Sequence, residues 1–231
     1  MPISKDQVDI WLIDINQKNY NQALSVKYFL SDLEIRKQHS FLLKKDQRSY
    51  LISHIALRFI LSQYLNISPQ LIEYKFNSYG KPSIACYYSE LYFNLSHSGQ
   101  LACIAISAKE IGIDIEYISK DFNYLEIANH YFVEKERTLI NNQKDCANRL
   151  KMFLKIWTMK EALLKATGTG LIVDLPIIDL IANQFQCGDM EYNIWQIKEV
   201  ELLQEDYVAS VAHQRMASLI INYYSYSFSS S

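Results

Sequence analysis

The stretch Ile156-Trp157-Thr158-Met159-Lys160-Glu161-Ala162-Leu163-Leu164-Lys165-Ala166-Thr167-Gly168-Thr169-Gly170-Leu171 starts as a strong helix and ends on two glycines. Met, Lys, Glu, Ala and Leu are good helix formers, and Gly168 and Gly170 supply the backbone freedom that a sharp exit needs. Trp157, Glu161 and Lys165 fall at i, i+4 and i+8, on one stripe of the helix. Taken alone, this Glu–Lys spacing describes a surface ion pair worth about 0.2–0.5 kcal/mol.

A second stretch, Ile111-Gly112-Ile113-Asp114-Ile115-Glu116, alternates strictly. A strand places the three isoleucines on one face and Gly112, Asp114 and Glu116 on the other. Two carboxylates so spaced sit roughly 6–7 Å apart at Cβ. Their oxygens can converge on one cation and repel each other without it. The plainer reading is a half-buried strand with a solvated polar face. A third element is Tyr79-Gly80-Lys81-Pro82 followed by Phe93-Asn94-Leu95-Ser96-His97-Ser98.

In this order and at this spacing, the three elements resemble the signature of the 4'-phosphopantetheinyl transferases of the surfactin-synthetase-activating type, over about residues 30–172. The resemblance implies an α+β fold of two similar α+β halves in one chain, a pseudo-duplication, here residues 1–110 and 111–231. It implies transfer of the 4'-phosphopantetheine arm of coenzyme A to a serine of an acyl or peptidyl carrier protein. The reaction would depend on Mg2+, with Mn2+ as a substitute, and release 3',5'-ADP from a monomeric enzyme. Asp114, Glu116 and Glu161 are the implied metal ligands. Hard oxygen donors suit Mg2+, and the absence of His and Cys from the set argues against zinc.

Glu161 is the expected base for the serine proton, with Glu116 as the alternative. Lys165 would neutralise charge on the leaving diphosphate and touch coenzyme A. Lys160, about 100° around the helix, is a weaker candidate. Lys81, Pro82, Ser96, His97 and Arg48 are the other implied coenzyme A contacts, while Arg58 reads equally as structural. Thr169 stands where many relatives carry lysine. The stretch from Asp121 to Glu136, with Phe122, Tyr124 and Phe132 among charges, is the expected carrier-docking surface. Two competing readings stay open. One is a non-catalytic coenzyme A- or nucleotide-binding regulator or scaffold, and the other is a different Mg2+-dependent phosphotransferase acting on a nucleotide.

The rest of the chain bounds these readings. At 231 residues it is long enough for one large domain or two small ones. A formal net charge of −2 argues against a general nucleic-acid partner. Basic residues crowd Arg36, Lys37, Lys44, Lys45, Arg48 and Arg58, which a solvated helix face would also explain. Cys86, Cys103, Cys146 and Cys187 lack metal spacing and read as reduced thiols of a cytoplasmic protein. No apolar signal region and no membrane-length run is present. Of six glycines, only Gly188, in an expected turn, lies away from the three elements.

Pattern predicts strands over Val8–Ile15, Glu73–Phe76, Leu91–Leu95, Leu101–Ile106, Tyr192–Val200, Tyr207–Ala212 and Ala217–Tyr224. It predicts helices from a Ser31/Glu34 capping box, over Asp46–Tyr64 with a stop at Asn66–Pro69, and over Leu125–Tyr131, Glu134–Asn141 and Asn148–Thr167. The Ser-rich tail should fray.

Overall fold

The computed structural model describes residues 1–85, 90–119, 122–169, 178–179, 184–185 and 194–228. Gly170, Asp121, the expected turn at Gly188, the start of the strand expected at Tyr192 and the last three residues of the tail lie outside them. The chain runs β1 (Gln7–Asp14), α1 (Gln17–Ser25), α2 (Asp32–Ser40), α3 (Lys44–Leu65), β2 (Tyr74–Phe76), β3 (Pro82–Ile84), β4 (Tyr92–Ser98) and β5 (Leu101–Ser107). It continues as β6 (Ile111–Tyr117), α4 (Leu125–Tyr131), α5 (Glu134–Asn141), α6 (Cys146–Thr167), β7 (Ile178–Asp179), β8 (Gln184–Phe185), β9 (Trp195–Glu199), β10 (Tyr207–Gln214) and β11 (Ile220–Tyr226). The architecture is α+β, as expected.

One compact unit comprises residues 1–76, 82–109 and 216–231. Its sheet has the order β11-β1-β5-β4. Strand β5, the continuously apolar run, is buried at every residue. Leu51, Ile52, Ile55, Ile60 and Leu61 of α3 pack with Trp11, Ile13, Phe93, Ile104 and Ile106 into one core. The stop after α3 is as the sequence predicts: Asn66 takes the left-handed conformation at φ 53. The capping box also forms, with the Ser31 N–H donating to Glu34 Oε2 at 2.8 Å and Glu34 N–H to Ser31 Oγ at 3.4 Å.

Arg58 is structural. It is 2% exposed, its Nη2 lies 2.6 Å from Glu34 Oε2, and its Nη1 donates to the carbonyls of Pro69 and Ile72. Burial alone would raise the Glu34 carboxyl. Bonds from His54, Arg58 and Ser31, with the Arg58 charge, outweigh burial and hold it at about 2.

The expected division at 110/111 fails for the C-terminal tail. Strand β11 belongs with the first unit, where it pairs in parallel with β1 in the register Gln7↔Ile220 to Ile13↔Tyr226. Two physical demands hold it there. Trp11 stacks on Tyr224 with ring centroids 4.5 Å apart, and the fully buried Asp9 takes hydrogen bonds from Asn222 Nδ2, Gln7 Nε2 and Tyr64 OH. A buried carboxylate without those donors would be costly.

The second unit comprises residues 77–81 and 110–215. Its sheet is antiparallel, in the order β6-β10-β9, and α6 lies on it. Like α3, α6 has 22 residues. Ladder partners share a face, so Gly112 with Ala212 and Asp114 with Ser210 form a patch of small or short residues under the helix. Thr158 and Ser210 share a hydrogen bond of 2.9 Å there, and Thr158, Ala162 and Ala166 are buried along one helical stripe.

Two residues of this unit correct the sequence reading. Lys160 is not a phosphate ligand candidate: it is 0% exposed and its Nζ lies 2.8 Å from Glu136 Oε2, itself 0% exposed. Lys160 also donates to the Tyr131 carbonyl and stands 5.0 Å from the Phe132 ring centre. Phe132 is core, 1% exposed and stacked on Phe153 at 5.0 Å, so it offers nothing to a carrier. We predict that Lys160→Met destabilises the chain by about 3–5 kcal/mol, because it strands a buried carboxylate. Adding Glu136→Gln should restore part of the loss. Denaturant midpoints of the single and double variants check this, and a single variant as stable as wild type would refute it.

Candidate active site on strand β6 and helix α6

The site is built where β6 faces α6. Gly112 is what lets them meet, since a Cβ there would be driven into the Ala162 carbonyl oxygen and the Ala166 amide nitrogen. The polar face of β6 is therefore covered by the helix, and Asp114 is 3% exposed. The solvated polar face allowed by the sequence is absent at Asp114, so truncating this residue disturbs packed structure. Two residues further along, Glu116 is only partly buried.

From the helix side, Glu161 and Lys165 flank the stripe that touches the sheet. Lys165 Nζ donates to Asp114 Oδ1 at 2.6 Å, with the lysine side chain 29% exposed. Glu161 Oε1 is buried and has no hydrogen-bond partner among the described residues. Burial pushes the Glu161 carboxyl up to about 7, helped by the negative charges of Asp114 and Glu116 and opposed by Lys165. Three acidic groups thus sense one another beside the Lys165 ammonium, in surroundings that favour added positive charge.

Among the described residues, no three His, Cys, Asp or Glu side chains are gathered into a ready metal shell. The expected triad of Asp114, Glu116 and Glu161 shares a neighbourhood without converging on one point. The donor set still fits Mg2+, which binds through one or two carboxylates and completes its shell with waters and substrate phosphate. The unpartnered Glu161 oxygen is the feature that such an ion would satisfy.

Lys81 is in the same unit. Its Nζ lies 2.6 Å from Glu110 Oε2 and donates to the Ala166 carbonyl at 2.6 Å. The other expected coenzyme A contacts belong to the first unit. Pro82 opens β3, Ser96 is buried on β4 and His97 beside it is exposed. Arg48 on α3 is exposed, donates to Gln17 Oε1 at 3.2 Å and lies 4.9 Å from the Tyr20 ring centre. Thr169 is 9% exposed and shares a 2.9 Å hydrogen bond with Thr167. Sequence reasoning missed Asn77 and Glu110, the partners of the Lys81 turn and its end of α6. The spacing Asn77-x-x-Gly80, a turn pattern, was the available signal for the first.

Comparisons with known proteins identify the family. Residues 110–212 match the model of the 4'-phosphopantetheinyl transferase superfamily, and residues 16–109 match the 4'-phosphopantetheinyl transferase N-terminal model. The chain is 33% identical to 4'-phosphopantetheinyl transferase HetI of Nostoc sp. over 74% of its own length and 73% of the relative's. It is 32% identical to 4'-phosphopantetheinyl transferase Sfp of Bacillus subtilis, over 72% and 71% of the two chains. Against the human L-aminoadipate-semialdehyde dehydrogenase-phosphopantetheinyl transferase it is 29% identical, over 70% of this chain and 54% of that one. With both halves matched, and with relatives aligned across most of its length, the chain belongs to the 4'-phosphopantetheinyl transferase superfamily and is a transferase of the Sfp type.

Proposed function

We propose that the chain moves the 4'-phosphopantetheine arm of coenzyme A onto a serine of an acyl or peptidyl carrier protein. The observation that carries this reading is the meeting of α6 with β6, where a buried, unpartnered Glu161 oxygen stands one turn from a Lys165–Asp114 ion pair. In the reaction the serine oxygen bonds to the β-phosphorus, the bond from that phosphorus to 3',5'-ADP breaks, and the serine proton passes to Glu161. Without metal that carboxyl is held at about 7, and a carboxylate in this place is a suitable proton acceptor. Glu116 is the second candidate for that proton. Lys165 neutralises charge that builds on the departing 3',5'-ADP.

Asp114, Glu116 and Glu161 would hold Mg2+, with Mn2+ as its substitute. When bound, the ion supplies neutralisation of phosphate charge. The coenzyme A contacts proposed for Arg48, Lys81, Pro82, Ser96 and His97 rest on the sequence motif.

The decisive experiment is mass spectrometry of apo-carriers incubated with the chain, coenzyme A and Mg2+. Gain of the arm's mass, lost on chelation, is the expected result. No gain across a panel of carriers would favour a binding module without catalysis.

For the carrier, the surface beside α4 is the proposed dock. An open concavity there is lined by Asn123, Leu125, Glu126, Asn129 and His130 among others, with Leu125 55% and Phe122 41% exposed. Leu125→Asp should raise the KM for carrier and leave that for coenzyme A unchanged. An equal rise in both would reject the dock.

A further inference from the structure

The turn between β2 and β3 does more than form a corner. Asn77 Oδ1 accepts the N–H groups of Tyr79 at 3.0 Å and Lys81 at 2.9 Å, which closes an Asx-type turn around Gly80 at φ +86. Those bonds use only the side-chain oxygen. The side-chain Nδ2 is spent elsewhere, donating to the Gly168 carbonyl at 2.8 Å. Beside it, Lys81 Nζ reaches the Ala166 carbonyl at 2.6 Å.

Both carbonyls belong to the C-terminal end of α6. A helix leaves its last carbonyls without intrahelical donors, and positive charge is favoured there. Gly168 serves the contact twice. It adopts φ +70, and a Cβ in its place would stand 2.8 Å from Asn77 Nδ2 and 2.9 Å from Lys81 Cδ. The last helical turn so held carries Lys165, whose Nζ meets Asp114 Oδ1.

We propose that Asn77 is a positioning residue for the transfer reaction: through the Gly168 carbonyl it fixes the end of α6, and with it the placement of Lys165 against Asp114. The inference rests on the transferase reading above and adds to it a residue that touches no substrate. A role in forming the turn alone would need Oδ1 and leave Nδ2 idle. The structure uses both.

Two substitutions separate the roles. Asn77→Asp keeps the turn's acceptor, loses the donor and sets an oxygen against the Gly168 carbonyl. Asn77→Ser keeps a turn acceptor on a side chain too short to reach Gly168. Each should lower kcat on the order of 10–100-fold, the scale of a displaced catalytic group, with the KM for carrier and the circular dichroism unchanged. In a Lys165→Ala background the same substitutions should cost no further kcat, since residues that act through one another are not additive. Wild-type kcat in either variant would overturn the proposal, and so would an equal fold-loss with and without Lys165. Wild-type transfer and its reduction to a measurable residual rate in Lys165→Ala, measured first, test the transferase reading by itself, and a wild-type chain without transfer would overturn both.

Discussion

Gly112→Ala is expected to cost about 3 kcal/mol or more in stability, at or above the upper end of overpacking effects. The new methyl would enter the Ala162 carbonyl oxygen and the Ala166 amide nitrogen, and the Ala166 Cα would be 2.9 Å away. These are helix backbone atoms, so no side-chain rotation relieves the contact. The helix must lift off β6 or the strand must bend away from it. Either movement separates Lys165 from Asp114, a contact of 2.6 Å. Transfer should therefore fall by on the order of 100-fold even at temperatures where the variant is folded. Denaturant unfolding, with transfer rates taken well below the transition, measures both effects. A variant with wild-type stability would show that α6 does not press on β6 as the structure has it.

That contact also shows how much the sequence discloses. Alternation correctly placed Gly112, Asp114 and Glu116 on one face of β6, because a pleat has a period of two. It is blind to what covers the face. The clue lay in size: Gly112, Ala162, Ala166, Ser210 and Ala212 are small residues on three separate elements, and only the fold brings them together. The limits of α4 and α5 and the cap of α2 were legible because their signals are local.

Lys160 and Phe132 were misread for the opposite reason. One sits off the functional stripe and the other among charges, yet both are buried by partners on other elements, Glu136 and Phe153. Strand β11 was visible as a strand, while its sheet was not, since local periodicity carries no information about a partner more than 200 residues away. Lys81, a coenzyme A contact by its motif, bonds to the Ala166 carbonyl, a contact no local pattern encodes.

Glu161→Gln should do two opposite things. The wild-type carboxyl is held at about 7 by burial and by the charges of Asp114 and Glu116, against a usual 4.5. Below the usual value it is protonated in folded and unfolded chains alike, so it costs nothing. As pH rises through about 7 the folded state must carry the charge, and the stabilising effect of the bound proton is lost. Glutamine escapes that cost.

Without metal, Glu161→Gln should therefore gain about 1–3 kcal/mol over wild type at pH 8 and little at pH 4. The same substitution should lower transfer by about 100- to 10,000-fold, because an amide cannot take the serine proton. Excess Mg2+ should not restore it, for an amide oxygen can still touch a cation. Melting curves at the two pH values and transfer rates against Mg2+ concentration decide the matter. Full rescue by metal would reduce Glu161 to a ligand and hand the proton to Glu116. Equal stability gains at both pH values would mean that burial does not hold this carboxyl near neutrality.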